Sequence, residues 1–273
     1  MVQSITKVGI LSCGEMGLGI AKVLVANKYK VFTFASDRSQ RTQDNAREAG
    51  VELCDSIKDL ATEVEALLSI VPPRDAYTTA QRFAEVVADR QAPLIYLDLN
   101  ATSTATAKKT AELFELNEKI TLIDGGIIGG VPYPLTNQTN DHANCTQNDE
   151  EAPSWHCPNL LVSGPTKLHD PKLSKILNID HLSDDIGAAT GVKMCFAATT
   201  KGFISLAIQS YTTAHQLGVL DNLREYLAKY NSSTQTIAEK GLVTMPPKAY
   251  RWVGEMREIG DTFEAEGGFK SNL

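Results

Sequence analysis

The residues that follow the first apolar stretch have the types and spacing that bind a phosphate-bearing ligand. Between a β-prone stretch at 5–12 and a helix-forming stretch at 20–26 lie Ser12, Cys13, Gly14, Glu15, Met16 and Gly17. A strand, a tight turn of small residues and a helix N-terminus direct backbone N–H groups at a pyrophosphate, as in the G-x-G-x-x-G pattern. Ser12 takes the first glycine position here, and Gly14 and Gly17 take the others. The pattern predicts a dinucleotide site; a glycine-rich turn without a ligand is the alternative.

The residues after the second predicted strand, 30–35, distinguish two forms of the dinucleotide. A site for NAD usually has an Asp or Glu at this strand end, where it binds the ribose hydroxyls. Here Ser36 and Arg38 offer a hydroxyl and a guanidinium, which suit the 2′-phosphate of NADP. We therefore expect NADP (NADPH in its reduced form) as the cofactor. Asp37 keeps NAD as the less favoured alternative, in which Arg38 is a solvated loop charge.

Further polar or glycine-containing segments follow other predicted strands. In an open α/β sheet, ligands bind beyond the carboxyl ends of the strands, so these segments are expected to line the same site. The residues predicted to contact the cofactor are Val71, Pro72 and Asn100. Those predicted to contact the substrate are Ser103, Ile128, Gly129 and Gly130. An alternative for Asn100 is that it caps a helix over 103–116.

One lysine, Lys193, lies in an otherwise apolar stretch at 187–194. Burying an ammonium group without a partner is costly, so this lysine needs a specific environment. In a cleft it can act as a general acid, protonating a carbonyl or imine product as a hydride arrives. The alternative is a surface lysine whose stem covers apolar neighbours while its head stays in water.

The elements that must position these residues alternate along the first half of the chain. Strand-like stretches occur at 5–12, 30–35, 51–53, 66–71, 94–99 and 120–124, with helical stretches between them. This alternation predicts a doubly wound α/β domain of the Rossmann type, a parallel sheet with helices on both faces. A polar, Asn-rich stretch at about 134–158 is expected to be a surface loop or a partly disordered insertion, and 159–163 is expected to be one more strand.

The last third of the chain has helical periodicity. Residues 187–218 contain no proline and keep apolar residues at helical spacing, which predicts one long helix. At about 1.5 Å per residue this helix would reach about 45 Å, which is typical of a helix that links domains or forms a dimer core. Shorter helices are expected at 220–230, 233–240 and 249–265. We predict a Rossmann domain at 1–184 and an all-α substrate and dimerisation domain at 185–273, and hence a homodimer.

Composition limits the partners and the compartment. The formal net charge is -7 and there is no block of Lys or Arg, so nucleic acid and membrane surfaces are not expected as partners. We find neither a secretory signal pattern nor an apolar run long enough for a bilayer. Five scattered cysteines are expected to be reduced thiols, and the predicted location is the cytoplasm.

Two His–Cys pairs in the insertion have side chains of the zinc-ligand type, His142 with Cys145 and His156 with Cys157. The second pair is adjacent in sequence, which hinders both side chains from reaching one tetrahedral ion, and the spacing fits no common zinc finger. We therefore predict no metal site.

Taken in chain order, these segments resemble a known superfamily over nearly the whole chain. The stretches that carry the resemblance are VGILSCGEMG at 8–17, SIVPP at 69–73, DLNATS at 98–103, DGGIIGG at 124–130 and GAATGVK at 187–193. They are similar to the β-hydroxyacid dehydrogenase and 6-phosphogluconate dehydrogenase superfamily, and residues 245–263 resemble a divergent C-terminal domain of one branch. The resemblance implies an NAD(P)-dependent oxidoreductase, a Rossmann domain followed by a helical domain around one long helix, a dimer, and a catalytic lysine at Lys193.

Two positions depart from the pattern of this superfamily. Ile128 stands where the family has the serine of Ser-Gly-Gly, and Ala197 stands where an asparagine follows the lysine by four residues. In the family these side chains bind the substrate carboxylate and the reacting hydroxyl, so the substrate near positions 128 and 197 is expected to be more neutral than a 3-hydroxy acid. One alternative is an imine reductase, from a sister group that takes cyclic imines but generally lacks the lysine. Another is a non-catalytic NADP-binding protein.

Overall fold

The chain, described by a computed structural model over residues 4–135, 145–146 and 154–270, divides into two compact units. The first unit is Met1–Lys193 and the second is Met194–Leu273. The predicted domain boundary lies after residue 184. The division comes after residue 193, within the helix Ala188–Ala197.

The strands of the described residues all belong to the first unit. They are β1 (Lys7–Leu11), β2 (Lys30–Phe34), β3 (Glu52–Cys54), β4 (Ala66–Ser69), β5 (Leu94–Asp98), β6 (Ile120–Ile128), β7 (Tyr133–Pro134), β8 (Cys145–Thr146), β9 (Trp155–His156), β10 (Asn159–Ser163) and β11 (Ile179–Ser183). Eight of them form one sheet in the order β11-β10-β6-β5-β4-β1-β2-β3. The pairs among β1 to β6 are all parallel, which confirms the predicted doubly wound Rossmann sheet. The sheet then continues beyond the parallel part, because β10 pairs antiparallel with β6 and β11 runs parallel to β10.

Helices cover both faces of this sheet. Those of the first unit are α1 (Glu15–Ala26), α2 (Gln40–Glu48), α3 (Ile57–Glu63), α4 (Pro73–Val87), α5 (Thr104–Glu112), α6 (Pro171–Ile176) and α7 (Ala188–Ala197), the last of which continues into the second unit. One core cluster contains Leu24 of α1, Leu173 of α6 and Leu68 of β4. The other contains Phe83 of α4 and Leu67 of β4. Adjacent residues of β4 belong to different clusters because successive side chains of a strand point to opposite faces.

Strand β6 extends beyond its predicted end at Asp124 and continues to Ile128. The glycines that suggested an end are sites of close approach instead. A Cβ on Gly125 would lie 2.9 Å from the carbonyl oxygen of Leu161 on β10, and a Cβ on Gly126 would lie 2.7 Å from the Cβ of Lys193. Both glycines therefore let neighbouring elements pack tightly on the strand.

A small second sheet, in the order β7-β9-β8, occupies part of the stretch expected to be a loop. Tyr133 lies opposite His156, and their rings stack with centroids 4.8 Å apart. The N–H of Leu135 donates to the carbonyl oxygen of Ser154 at 2.8 Å. The remainder of the predicted insertion, including His142, lies outside the described residues.

The second unit is helical, as predicted. A π-helical turn at Ala198–Gly202 is followed by α8 (Phe203–Gln216), α9 (Leu220–Tyr230), α10 (Ser232–Thr244), a 3-10 turn at Pro246–Lys248 and α11 (Ala249–Gly267). Its core joins Ala207 and Tyr211 of α8 to Ala238 of α10. Lys201 in the π turn forms an ion pair with Glu255 of α11.

One helical run in the described residues, Ala188–Gln216, is long and apolar enough to cross a membrane by length and composition. It corresponds to the predicted long helix, has 29 residues, and contains Lys193 and Lys201, which interrupt its apolar character in the sequence. Only 17% of its most apolar window is buried. The length and composition of this run are weak evidence for a membrane span, because long core helices of other proteins meet the same criteria.

Candidate active site

The turn between β1 and α1 has the geometry that its small residues predict. Ser12 has a φ of 71°, in the left-handed region that favours glycine, so the serine adopts the conformation of the glycine it replaces. A Cβ on Gly17 would collide with the carbonyl oxygen of Ser12, so Gly17 lets α1 pack against the turn. Cys13 is buried, and burial raises the pKa of its thiol. The shape of the turn alone accounts for Gly17, whereas at Ser12 it would favour glycine.

Nothing within the described part of the chain requires a glycine at position 14. Its φ of -68° suits any residue, and a Cβ on Gly14 would meet no described atom within 4 Å. Gly14 is also the N-cap of α1 and offers no side-chain cap, whereas Glu15 and Met16 form the first turn of the helix. Space beside uncapped N–H groups at a helix N-terminus is what a pyrophosphate requires. The residues present therefore fit the phosphates of a dinucleotide.

Ser36 and Arg38 lie exposed beyond the end of β2. The Nε of Arg38 is 3.3 Å from Oδ1 of Asp37, and both side chains are about half exposed. The neighbouring Ser39 caps α2 by accepting a hydrogen bond from the N–H of Thr42 at 3.4 Å. This strand end thus carries a guanidinium beside a carboxylate, the groups that suit NADP and NAD respectively.

Asn100 braces the ends of two neighbouring strands. Its Oδ1 accepts a hydrogen bond from the N–H of Val71 at 2.7 Å, and its Nδ2 donates to Ser69 Oγ at 2.9 Å and to Asp98 Oδ1 at 2.5 Å. The side chain is buried, so β4 and β5 are held together just where they end. Pro72 follows Val71 as the N-cap of α4. The segments at Val71 and Asn100, predicted to contact the cofactor, are therefore neighbours in space.

The cap of α5 is Ser103, so the alternative that Asn100 caps this helix is wrong. Ser103 Oγ accepts a hydrogen bond from the N–H of Thr106 at 3.3 Å, and Ser103 is buried. The reason for the difference is distance along the chain, because a cap binds the N–H two or three residues later and Asn100 precedes the helix by four.

Lys193 lies at the carboxyl end of β6. Its Nζ donates a hydrogen bond to the carbonyl oxygen of Ile127 at 2.6 Å, and its stem crosses Gly126, where a Cβ would lie 2.7 Å from the Cβ of Lys193. Desolvation by burial lowers the pKa of this amine. No described carboxylate forms an ion pair with it, so the lysine is neither a solvated surface charge nor half of a salt bridge.

The predicted substrate-binding turn begins one residue after the lysine's partner. Ile128 ends β6 and is half-buried. Gly129 has a φ of 130°, and a Cβ on it would lie 3.0 Å from Pro158, so glycine is required there. A Cβ on Gly130, as on Gly14, would meet no described atom within 4 Å. Ala197 is the last residue of α7 and belongs to the second unit, where it is buried.

Two buried carboxylates stand side by side at this edge, and sequence reasoning missed both. Asp98 of β5 lies in register with Asp124 of β6. Burial, and to a lesser degree the neighbouring Asp124, raises the pKa of Asp98 to about 6, against hydrogen bonds from Asn100 that lower it. One oxygen of Asp98 is buried without a hydrogen-bond partner among the described residues. In both strands an aspartate follows an apolar run, which was the available signal.

The fold and this strand edge define a class of protein, a dinucleotide-binding oxidoreductase with a helical C-terminal domain. Residues 7–138 match the family model for the NAD-binding domain of 6-phosphogluconate dehydrogenase, and residues 214–273 match a domain of unknown function, DUF1932. With these two matched segments, the chain is an NAD(P)-dependent oxidoreductase whose N-terminal domain is similar to that of 6-phosphogluconate dehydrogenase. This assignment favours an enzyme over a non-catalytic binding protein.

Solved structures similar to this chain include dehydrogenases and imine reductases. The conserved protein MTH1747 of unknown function, described as similar to 3-hydroxyacid dehydrogenases, is 26% identical with a TM-score of 0.67, covering 95% of this chain and 90% of its own. A 3-hydroxyisobutyrate dehydrogenase from Salmonella typhimurium is 20% identical with a TM-score of 0.68, covering 98% and 90%. An imine reductase from Myxococcus stipitatus, solved with NADP+, is 16% identical with a TM-score of 0.61, covering 89% and 78%; a variant of it was solved with NAD+. At 20% identity or less, the similarities to the dehydrogenase from Salmonella typhimurium and to the imine reductase show a shared fold only.

Proposed function

We propose that the protein transfers a hydride between NADP and a carbonyl or hydroxyl carbon of a small, neutral molecule, with Lys193 as the general acid–base. The observation that carries the proposal is the placement of Lys193 at the carboxyl end of β6, hydrogen-bonded to Ile127 and unpaired with any described carboxylate. Its lowered pKa eases release of the proton, which a general acid near neutral pH requires.

The chemistry needs one proton for each hydride. A bound nicotinamide would supply or accept the hydride. In reduction the ammonium of Lys193 gives its proton to the substrate oxygen, which becomes a hydroxyl, and in oxidation the neutral amine takes that proton back. An ammonium group has three donors and the carbonyl of Ile127 engages one, so two remain for the substrate.

The residues after the lysine's partner support a neutral substrate. Ile128 offers an apolar side chain, and Gly129 and Gly130 offer only backbone groups. A substrate carboxylate would find no hydroxyl or cation in this segment, and an unpaired buried charge costs several kcal/mol.

Replacing the lysine tests the proposal directly. We expect Lys193→Met to lower turnover by about a hundredfold or more, the usual contribution of general acid catalysis, while NADPH still binds. Turnover is followed by NADPH absorbance with a panel of ketones, aldehydes and 3-hydroxy acids, and binding by the quenching of protein fluorescence. Lys119→Met, at an exposed lysine of the same unit, is the matched control. Unchanged turnover in Lys193→Met would overturn the assignment.

A cyclic imine is a second candidate substrate. The apolar residues at Ile128 and Ala197, where the superfamily has substrate-binding polar side chains, favour it, whereas the presence of Lys193 favours a carbonyl. Adding cyclic imines to the same panel separates the two, because activity on acids and ketones alone would reject the imine.

The preference for NADP is tested at the end of β2. We expect Arg38→Ala to weaken NADPH binding by about tenfold to a hundredfold, the worth of a charged hydrogen bond, and to leave NADH binding unchanged. Arg47→Ala, which removes an equally exposed arginine on α2, is the control. Equal losses for NADPH and NADH would contradict a 2′-phosphate contact at Arg38.

We also propose a cytoplasmic homodimer, joined through the helical unit, that binds neither nucleic acid nor membrane. The support is the formal charge of -7 and the large apolar side chains that the second unit exposes. These include Leu206, Leu217, Tyr230, Val243 and Tyr250.

A further inference from the structure

The helix that carries Lys193 begins without a cap of its own. Gly187, the residue before α7, has a φ of 96° and no side chain. The first N–H groups of a helix have no partner within it and must be satisfied from elsewhere when they are buried. The N–H of Ala188 donates to the carbonyl oxygen of Asp185, and the first bond within the helix runs from Gly191 to Gly187.

The missing cap is supplied by the sheet. Oδ2 of Asp124 accepts hydrogen bonds from the N–H of Gly187 at 3.0 Å and of Thr190 at 3.2 Å, and its Oδ1 accepts the hydroxyl of Thr190. Ser163 Oγ accepts the N–H of Ala189 at 2.9 Å and donates to Asp124 at 2.8 Å. Asp124 and Ser163 are both buried and lie opposite each other on β6 and β10. We call these two residues the sheet cap.

The sheet cap and the lysine belong to one contact between helix and strand. Thr190 and Lys193 are three residues apart, so they lie on the same side of α7. Asp124 and Gly126 are two residues apart, so they lie on the same face of β6. Thr190 therefore meets Asp124 while the stem of Lys193 crosses Gly126, and the amine reaches Ile127.

We propose that Asp124 and Ser163 are positioning residues, which fix the register of α7 on β6 and so hold the amine of Lys193 at the end of that strand. Releasing the sheet cap lets the helix start shift, and a shift of about 1 Å at a catalytic group can cost a hundredfold in rate. The catalytic meaning rests on the proposed function, but the position of the amine can be measured without any substrate.

The test follows the ionisation of Lys193. Lysines are acetylated briefly at a series of pH values, and mass spectrometry gives the midpoint pH for the peptide that contains Lys193. We expect the midpoint in Asp124→Asn to rise towards the ordinary value near 10.4, because a released amine is better hydrated. Ser163→Ala, a milder change that removes one cap, is expected to shift the midpoint in the same direction. The ionisable groups nearby, which both variants keep, are Asp98 on β5, Lys108 on α5 and Asp185 before α7.

Asp170→Asn is the matched control. Asp170 is a buried aspartate that caps α6 through the N–H of Leu173 at 2.9 Å and binds the N–H of Ile5 at 2.8 Å. It makes the same kind of contact in the same unit, so its loss is expected to lower the melting temperature without moving the Lys193 midpoint. Midpoints in Asp124→Asn and Ser163→Ala that fall, or that rise no further than in Asp170→Asn, would overturn the proposal. Full turnover in Lys193→Met would instead refute the proposed function and leave the positioning result standing.

Discussion

Two glycines of the first turn owe their identity to different causes. Gly17 is required by the protein, because any Cβ there strikes the carbonyl oxygen of Ser12. Gly14 is not, because its backbone is ordinary and its surroundings are open. The difference separates a packing role from a ligand role at two positions that sequence alone treats alike.

This difference leads to opposite expectations for alanine variants. Gly14→Ala is expected to change stability by less than about 1 kcal/mol, because the gain from the stiffer unfolded chain and the loss from a poorer helix N-cap oppose each other. The added methyl group is expected to weaken NADPH binding at least about tenfold. Gly17→Ala is expected to lose about 1–3 kcal/mol of stability from overpacking. Thermal unfolding and fluorescence titration with NADPH measure the two effects. Tight NADPH binding by Gly14→Ala would show that the open space beside Gly14 is not where the phosphates lie.

Asp98 makes the stability of the first unit depend on pH. Its pKa of about 6 in the folded protein exceeds the unfolded value of about 3.9, so the folded state binds this proton more tightly. Ionisation of Asp98 therefore lowers the free energy of unfolding. The full loss applies above about pH 6, it becomes smaller as the pH falls, and it disappears below about pH 4. A difference of about two pKa units corresponds to at most on the order of 3 kcal/mol in the free energy of unfolding.

We expect Asp98→Asn to be more stable than the parent at pH 8, with the gain vanishing near pH 4. Urea unfolding at both pH values measures it, and Asp44→Asn, an exposed aspartate on α2, corrects for the loss of one negative charge. A gain of equal size at both pH values would show that ionisation of Asp98 is not its cause.

At the residue scale, the sequence predicted where the site lies better than it predicted the role of each residue. Lys193 was recognisable because an amine in an apolar stretch is costly to bury without a partner. Asp124 and Gly126 were not, because their roles depend on a helix more than sixty residues later in the chain. Asn100 was identified, but its partners on two strands could not be read from its position.

At the scale of elements, strong apolar periodicity predicted existence and bounds well. The helix predicted at 220–230 is Leu220–Tyr230, and the strand predicted at 30–35 is Lys30–Phe34. β11 was missed because it is an edge strand with half-exposed residues, and its sequence, IDHLS, lacks an apolar run. β6 was cut short because glycines usually end strands, whereas here they admit Leu161 and Lys193.

At the scale of the whole molecule, the order of a Rossmann unit and a helical unit was predictable from the change in periodicity alone. The sequence also predicted a homodimer, but not the surface through which two chains would associate, because an apolar side chain in a sequence looks the same whether a core or a partner covers it. The exposed apolar residues of the second unit are the candidates for that surface.

The proposed dimer gives a prediction at this scale. We expect light scattering after gel filtration to give a mass of about 59 kDa, twice the 29.6 kDa of the chain. Leu206→Glu, on α8 and 61% exposed, is expected to shift the mass towards the monomer, because a buried unpaired carboxylate opposes association. Leu116→Glu, at a 99% exposed leucine of the first unit, is the control. A monomeric parent at micromolar concentration would refute the dimer.

The pairing of β7 with β9 has a consequence for protein engineering. Leu135 and Ser154 are joined by a hydrogen bond at 2.8 Å, with Tyr133 facing His156 just before it, so the two ends of the segment between them lie side by side. The segment between them contains β8, which pairs with β9, and changing the length of a segment whose two ends are held together alters loop entropy only slowly. We expect a two-residue Asn-Gly turn in place of residues 136–153 to join β7 and β9 as a hairpin, with the loss of β8. The same point can also accept a reporter or affinity sequence, so the enzyme offers an internal graft site remote in sequence from both termini.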